Sequence, residues 1–241
     1  RDKFRLRMSN IGRPTCQLWF EKNASEDKAP LPPHFLINMM IGDIVEAVFK
    51  GLLRAAGVDF KDNDNVTLKL KDGTEIKGEY DLVMDGKVDD VKSASDWSYK
   101  NKFTNLENLA EMDDFGYVSQ LVGYANAADL DVGGWWVVNK ANGEFKYVDA
   151  GSVDKPTVMQ EIEETVEYIN EDKPFERCFE AIPEKFNRKL TGNIVLGKTC
   201  GFCSFKHKCW PGVQTRNSVK STAKKPPVVD YVFLSSEYAE T

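Results

Sequence analysis

Residues 78–92 read GEYDLVMDGKVDDVK, and this stretch decides the fold. Asp85-Gly86 lies between two alternating runs, the signature of a two-residue hairpin turn whose central residues take positive φ. With that turn in place, Met84 faces Lys87, Val83 faces Val88, Asp81 comes directly opposite Asp90, and Glu79 comes opposite Lys92. Alternation then puts Glu79, Asp81, Asp90 and Lys92 on one face of the hairpin. Two carboxylates facing each other across a strand pair repel. A divalent cation such as Mg2+ or Mn2+, which favours oxygen ligands, offsets that repulsion. Lys92 beside it suits the charge that develops on a phosphate, or the positioning of an attacking water. The plainer alternative is a set of acids on a solvated strand face, since Asp-x-Lys is a common tripeptide.

Working outward, residues 66–70 alternate and Asp72-Gly73 is another hairpin signal, so 66–92 is expected to be a three-strand meander. Upstream, residues 34–56 are expected to be a helix whose stripe is Phe35, Met39, Ile44, Val48, Phe49, Leu52 and Leu53, ending before Gly57. Downstream, 94–114 reads as polar and irregular, 117–130 as a helix, and Trp135–Val138 with Phe145–Val148 as a hairpin around Asn142-Gly143. Val158–Ile169 and Phe175–Leu190 read as two further helices. The order makes a mixed α/β domain with the meander at its centre. The expected division is an N-terminal arm (1–33), a core (34–190), a cysteine-bearing region (191–216) and a C-terminal tail (217–241).

The chain of 241 residues, 41% hydrophobic and 29% charged, suffices for one sizeable core with a small appended lobe. No apolar run approaches the roughly 20 residues needed to cross a bilayer, and Arg1 to Met8 lack a signal-peptide core. A soluble cytoplasmic protein is expected. The formal net charge is -6, which argues against non-specific coating of nucleic acid. The distribution is uneven, however. Between Lys185 and Lys225 stand ten Lys and Arg and no Asp or Glu, and Arg1–Arg13 is also basic, so positive charge gathers at both chain ends.

Five cysteines are present. Cys200-x-x-Cys203 and Cys209 supply three thiolates in a short span, and Cys16 is the natural fourth ligand. Four thiolates suit a 4Fe-4S cluster and equally suit zinc. His207 offers a second zinc possibility, a local Cys3His set without Cys16. Cys178 is left over, read as a small half-buried thiol beside an apolar helix face. If Cys16 joins the other three, the two basic chain ends meet in one surface able to follow a phosphate backbone. After the hairpin, Trp97, Tyr99, Lys100 and Lys102 interleave aromatic and basic residues, as a single-strand contact would, although loop residues packing on the core look the same. Residues 226–234, PPVVDYVFL, read as an extended docking or partner-binding segment.

The segments GEYD at 78–81 and VDDVKSAS at 88–95 resemble the two central motifs of the PD-(D/E)XK nucleases. In that superfamily an Asp on one strand and a (D/E)-x-K on the next hold the metal. Gln120-Leu-Val-Gly-Tyr124 is similar to the Gln-x-x-x-Tyr motif of the RecB-like branch, and i, i+4 spacing keeps both residues on one helix face. GDIVE at 42–46 puts Glu46 where many of these enzymes carry a His, as in phage-exonuclease variants that use an acid. A surface acid on an amphipathic helix is the alternative for Glu46. The cysteine pattern resembles the iron-sulfur staple of the AddB-type and CRISPR-associated relatives.

The resemblance implies a restriction-endonuclease-like core with an iron-sulfur region. It implies a metal-dependent DNA exonuclease, acting on single strands or DNA ends in recombination, repair or phage DNA processing. Asp81, Asp90, the Val91 carbonyl and Glu46 would hold Mg2+ or Mn2+, and Lys92, Gln120 and Tyr124 would complete the site. The expected partner is DNA, with a recombination or helicase protein as a further partner, in a bacterial cell or phage-infected host. The competing readings are a catalytically inert nuclease-fold scaffold and a zinc-dependent DNA-binding protein.

Overall fold

A computed structural model describes residues 4–236; residues 1–3 and 237–241, the ends of the expected arm and tail, lie outside the described residues. In chain order the elements begin with helices α1 (Thr15–Asn23) and α2 (Pro33–Ala55), then strands β1 (Lys61–Lys69), β2 (Glu75–Met84) and β3 (Lys87–Ala94). Helices α3 (Asp96–Asn101), α4 (Leu106–Glu111) and α5 (Tyr117–Ala128) follow, then β4 (Asp131–Asn139), β5 (Phe145–Asp149) and α6 (Lys155–Asn170). The last elements are β6 (Ile182–Phe186), β7 (Lys189–Val195), α7 (Lys198–Gly201), α8 (Lys206–Cys209), β8 (Gln214–Asn217) and β9 (Val228–Phe233). No described helix is long and apolar enough to cross a membrane.

The chain forms two compact units, one of residues up to Arg13 with Pro32–Lys173, the other of Pro14–Leu31 with the residues from Pro174 on. In the first, five strands run in the order β1-β2-β3-β4-β5. The meander is antiparallel as expected, β3 pairs β4 in parallel, and β5 returns antiparallel. A parallel pair needs a crossover, and α3 to α5 supply it. Asp85 and Gly86 both take positive φ, 49° and 75°, the geometry of a turn that matches strand twist. One sheet face packs Val83, Val88 and Ala94 against Leu121, Tyr124 and Ala125 of α5 and Ile162 of α6. The other packs Leu82 and Val91 against Phe49 of α2. The result is a central mixed sheet flanked by helices.

Several expectations change. The stripe on α2 is only partly the buried one: Phe49 packs on the sheet, whereas Met39, Ile44, Val48 and Leu52 are exposed. A helix apolar around most of its circumference does not declare which side docks. The stretch 94–114 contains α3 and α4, capped by Ser95 and Asn105 through side-chain acceptance from Ser98 N and Asn108 N; a helix of six residues has too few positions to show a period. Residues 4–13 are not a separate arm, because Met8 and Ile11 are fully buried in the main core and Met8 N–H donates to the Lys77 carbonyl at 3.1 Å.

The expected helix Phe175–Leu190 is instead an irregular segment and the β6–β7 hairpin. Pro183 cannot donate within a helix, and the turn is made by Asn187 and Arg188 at φ 50° and 65°, without the glycine that usually marks one. This hairpin belongs to the second unit, whose antiparallel sheet has the order β6-β7-β9-β8. Tail residues Val228–Phe233 are thus strand β9, with Tyr231 buried. Beside this sheet, Phe20 stacks on Phe205 at 5.4 Å and meets Phe175 at 4.6 Å, with Cys203 and Cys209 against the same cluster.

The register of β3 against β4 shifts between Val88 and Asp90. At the shift, Asp89 Oδ1 accepts from Gly134 N–H at 2.8 Å and from Tyr147 Oη–H at 2.8 Å, and Oδ2 accepts from Trp136 Nε1–H at 3.3 Å. A Cβ on Gly133 would overlap Asp89 Oδ1. We therefore expect Gly133→Ala to destabilise the protein by about 2–3 kcal/mol, as overpacking of a closed site does, read as a lowered midpoint in urea unfolding with unchanged slope.

Candidate active site

The residues of the site come from four elements of the first unit, α2, β2, β3 and α5. The β2–β3 ladder extends from the turn through Met84/Lys87 and Val83/Val88 to Leu82/Asp89. Beyond it the next positions, Asp81 and Asp90, stand against each other within hydrogen-bonding reach of their carboxyls. The Val91 N–H, instead of extending the ladder, donates to Asp81 Oδ2 at 2.7 Å. Because the paired ladder ends there, Glu79 does not join the cluster as expected; it is exposed and bonded to Asn63.

Asp90 is 2% exposed. Lys92 Nζ lies 2.5 Å from Asp90 Oδ2, an ion pair without hydrogen-bond alignment, so that buried oxygen has no well-directed donor. Burial, against the pull of Lys92, raises the Asp90 pKa. Burial and the Asp90 charge push Asp81 up to about 7. For Lys92, burial works against the charge, but Asp90 and Asp81 outweigh it and its pKa is raised. Lys92 therefore stays protonated at neutral pH and serves as a donor and a charge, not as a base.

On α5, Gln120 Nε2–H donates to Tyr124 Oη at 3.3 Å. Tyr124 is buried, and the charges of Asp90, Asp81 and Lys92 all act on it. Glu46 on α2 contributes to raising Asp90, but its Oε1 accepts from Lys50 Nζ at 2.6 Å. Among the described residues no three His, Cys, Asp or Glu groups stand together at metal-holding distance.

Sequence reasoning missed two neighbours of the site. Lys50, 5% exposed, bonds Glu46 and ion-pairs with Asp62 at 3.2 Å. It stands four residues after Glu46, so the i, i+4 spacing was its signal. Tyr117 on α5 has two ammonium groups over its ring, Lys92 at 5.1 Å and Lys102 at 4.7 Å. The expected nucleic-acid quartet is correspondingly divided. Trp97 and Lys100 are exposed, with Lys100 paired to Asp96 at 2.9 Å. Tyr99 packs on the core under Lys146, and Lys102 is 6% exposed among Phe103, Phe115 and Tyr117. Lys102 is thus a cation–π partner inside the fold and offers no surface to a strand.

No protein-family model matches the chain, and no curated protein matches it. A solved structure described as the crystal structure of SSO0001 is similar, with a TM-score of 0.49 and 14% identity over 85% of each chain.

In the second unit, Cys16, Cys200, Cys203 and Cys209 all line one small pocket, walled by Phe20, Phe179 and Trp210. His207 is exposed and does not line it. Cys178 is exposed and lies in the irregular segment before β6, not beside a helix face of its own as expected. The Cys16 thiol, in hydrogen-bond contact with the Cys178 sulfur, lowers Cys178 to about 6 and is itself raised.

The carboxylate pair makes stability depend on pH. A carboxyl with a folded pKa raised from near 4 to about 7 binds its proton more tightly folded than unfolded. Stability is therefore lost as pH rises through that window. In EDTA at pH 8, Asp81→Asn should raise the thermal midpoint by at least about 3 °C, each pK unit being worth about 1.4 kcal/mol. At pH 4, where Asp81 of the wild type is protonated, calorimetry should show no gain.

Proposed function

We propose that the chain is a metal-dependent deoxyribonuclease with a restriction-endonuclease-like core, of the PD-(D/E)XK type and RecB-like branch. The observation that carries the reading is the Asp81–Asp90 contact, with Asp90 buried, Asp81 half-buried and Lys92 Nζ 2.5 Å from Asp90. Two desolvated carboxylates in contact are unfavourable by themselves, and their raised pKa values record that cost. A hard divalent cation, Mg2+ or Mn2+, fits this donor set, because all the donors are oxygens and one buried oxygen of Asp90 lacks an aligned donor. Asp81, Asp90 and the Val91 carbonyl would hold it, with Glu46 released from Lys50 as a direct or water-mediated addition. Such a cation supplies Lewis acidity toward a phosphoryl oxygen.

The chain's own residues account for the rest. Lys92, permanently charged, directs its donors at a phosphate oxygen and stabilises charge gathering there. Gln120 and Tyr124, joined to each other, present an amide and a hydroxyl beside the acids, where a scissile strand is oriented. Tyr117 holds the Lys92 ammonium over its ring and limits its rotamers. Trp97 and Lys100 offer a stacking face and a charge to a single strand or a DNA end. Recombination, repair and phage DNA processing all need such an activity, alongside a recombination or helicase partner.

The four pocket cysteines support a 4Fe-4S cluster in the second unit. The donor set is all thiolate, and Cys16 lines the pocket while His207 does not. This favours Cys16 over the local Cys3His zinc arrangement, with four-thiolate zinc as the alternative occupant. Its role in either case is structural, joining α1 to the α7–α8 region within that unit.

The test is incubation of anaerobically purified protein with end-labelled single- and double-stranded DNA in Mg2+, Mn2+ or EDTA. Degradation is expected with either metal and none with EDTA. Lys92→Ala should reduce the rate about 100- to 1,000-fold, the usual cost of removing one transition-state donor. Intact DNA under every condition, with DNA binding retained, would favour the inert scaffold.

A further inference from the structure

A four-thiolate site leaves Cys178 spare, yet its surroundings are specific. Helix α1 starts after Pro14, which supplies no side-chain cap. The Cys178 sulfur takes that place. Cys16 N–H donates to it at 3.0 Å, Thr15 Oγ1 lies 3.4 Å away, and the Cys16 thiol is in hydrogen-bond contact with it. A capping acceptor satisfies helix-start donors that otherwise have none, so this contact keeps the two sulfurs together. Of the five cysteines, Cys178 is the exposed one, while Cys16, Cys200, Cys203 and Cys209 are partly buried. The pair thus joins an accessible sulfur to one that also lines the four-cysteine pocket.

We propose that Cys16 and Cys178 are a reversible dithiol–disulfide pair, and that its oxidation withdraws Cys16 from the other three pocket cysteines. The first half stands on the Cys178 sulfur lying 3.0 Å from the Cys16 backbone nitrogen; the second rests on the reading of the pocket as a metal or cluster site. With hydrogen peroxide as oxidant, the Cys178 sulfur attacks one peroxide oxygen and the O–O bond breaks. Cys178 becomes a sulfenic acid, and the departing hydroxide leaves as water with the Cys178 proton. The Cys16 sulfur then attacks the Cys178 sulfur. An S–S bond forms, the S–O bond breaks, and the hydroxyl leaves as water with the Cys16 proton. Two electrons pass from the two sulfurs to the peroxide, and an external dithiol returns them by exchange.

The test uses the full chain as purified, titrated with hydrogen peroxide, alkylated, digested without reductant and analysed by mass spectrometry, with Cys178→Ser in parallel. Iron and zinc are also measured in both proteins before oxidation. A Cys16–Cys178 cross-linked peptide is expected as the main disulfide, reversed by dithiothreitol and missing from Cys178→Ser, whose metal content matches the wild type. A main disulfide between Cys200 and Cys203, with Cys178 recovered alkylated, would overturn the pairing. So would loss of bound metal in unoxidised Cys178→Ser, because Cys178 would then be a ligand. The cross-link in a protein that holds neither iron nor zinc would leave the pair standing and remove the cluster reading. Bound metal without the cross-link would do the reverse.

Discussion

Asp89 holds the sheet of the first unit in the arrangement on which its site depends. Its carboxylate accepts hydrogen bonds from Gly134, Tyr147 and Trp136, and so ties β3 to both β4 and β5. The ion is buried, and its burial raises its pKa even against the Tyr147 hydrogen bond. A buried carboxylate of this kind is tolerable only because its acceptor positions are filled. Gly133 leaves the space it fills, Gly134 leaves room for the Tyr147 ring that bonds it, and the register shift on β3 accommodates it.

Consecutive aspartates on one strand have opposite fates because side chains alternate. Asp89 faces donors and is satisfied. Asp90 faces another carboxylate and an ammonium, and one of its oxygens lacks a directed donor. Packing that satisfies the first acid fixes the backbone that presents the second, so the unfavourable pair is held by strand geometry it cannot relax. The second unit follows a related logic at smaller scale: an aromatic cluster of Phe20, Phe175 and Phe205 supports short helices that carry thiols rather than a broad core.

Much of this was legible in the chain. The Asp85-Gly86 turn and the alternation around it located Asp81 opposite Asp90 because hairpin register follows from turn length. The i, i+4 spacing placed Gln120 with Tyr124 for the same local reason. Glu46 and Lys50 carried the same spacing, but which partner Glu46 faces depends on how α2 meets β3. The Phe175–Leu190 hairpin was hidden because its turn residues, Asn187 and Arg188, adopt left-handed φ without a glycine to announce it. The short helices α3 and α4 were hidden because their caps signal starts while their length shows no period.

By itself, then, the sequence determined the meander, its register and the face shared by Asp81, Asp90 and Lys92, since these follow from turn chemistry and the two-residue period of a strand. It also determined which cysteines have ligand spacing. Only the tertiary structure decided which side of α2 is buried, that Lys102 lies inside the fold while Lys100 lies outside, and that Cys178 caps α1 beside Cys16. Those outcomes depend on contacts between segments far apart in the chain, and no local pattern of residues encodes them.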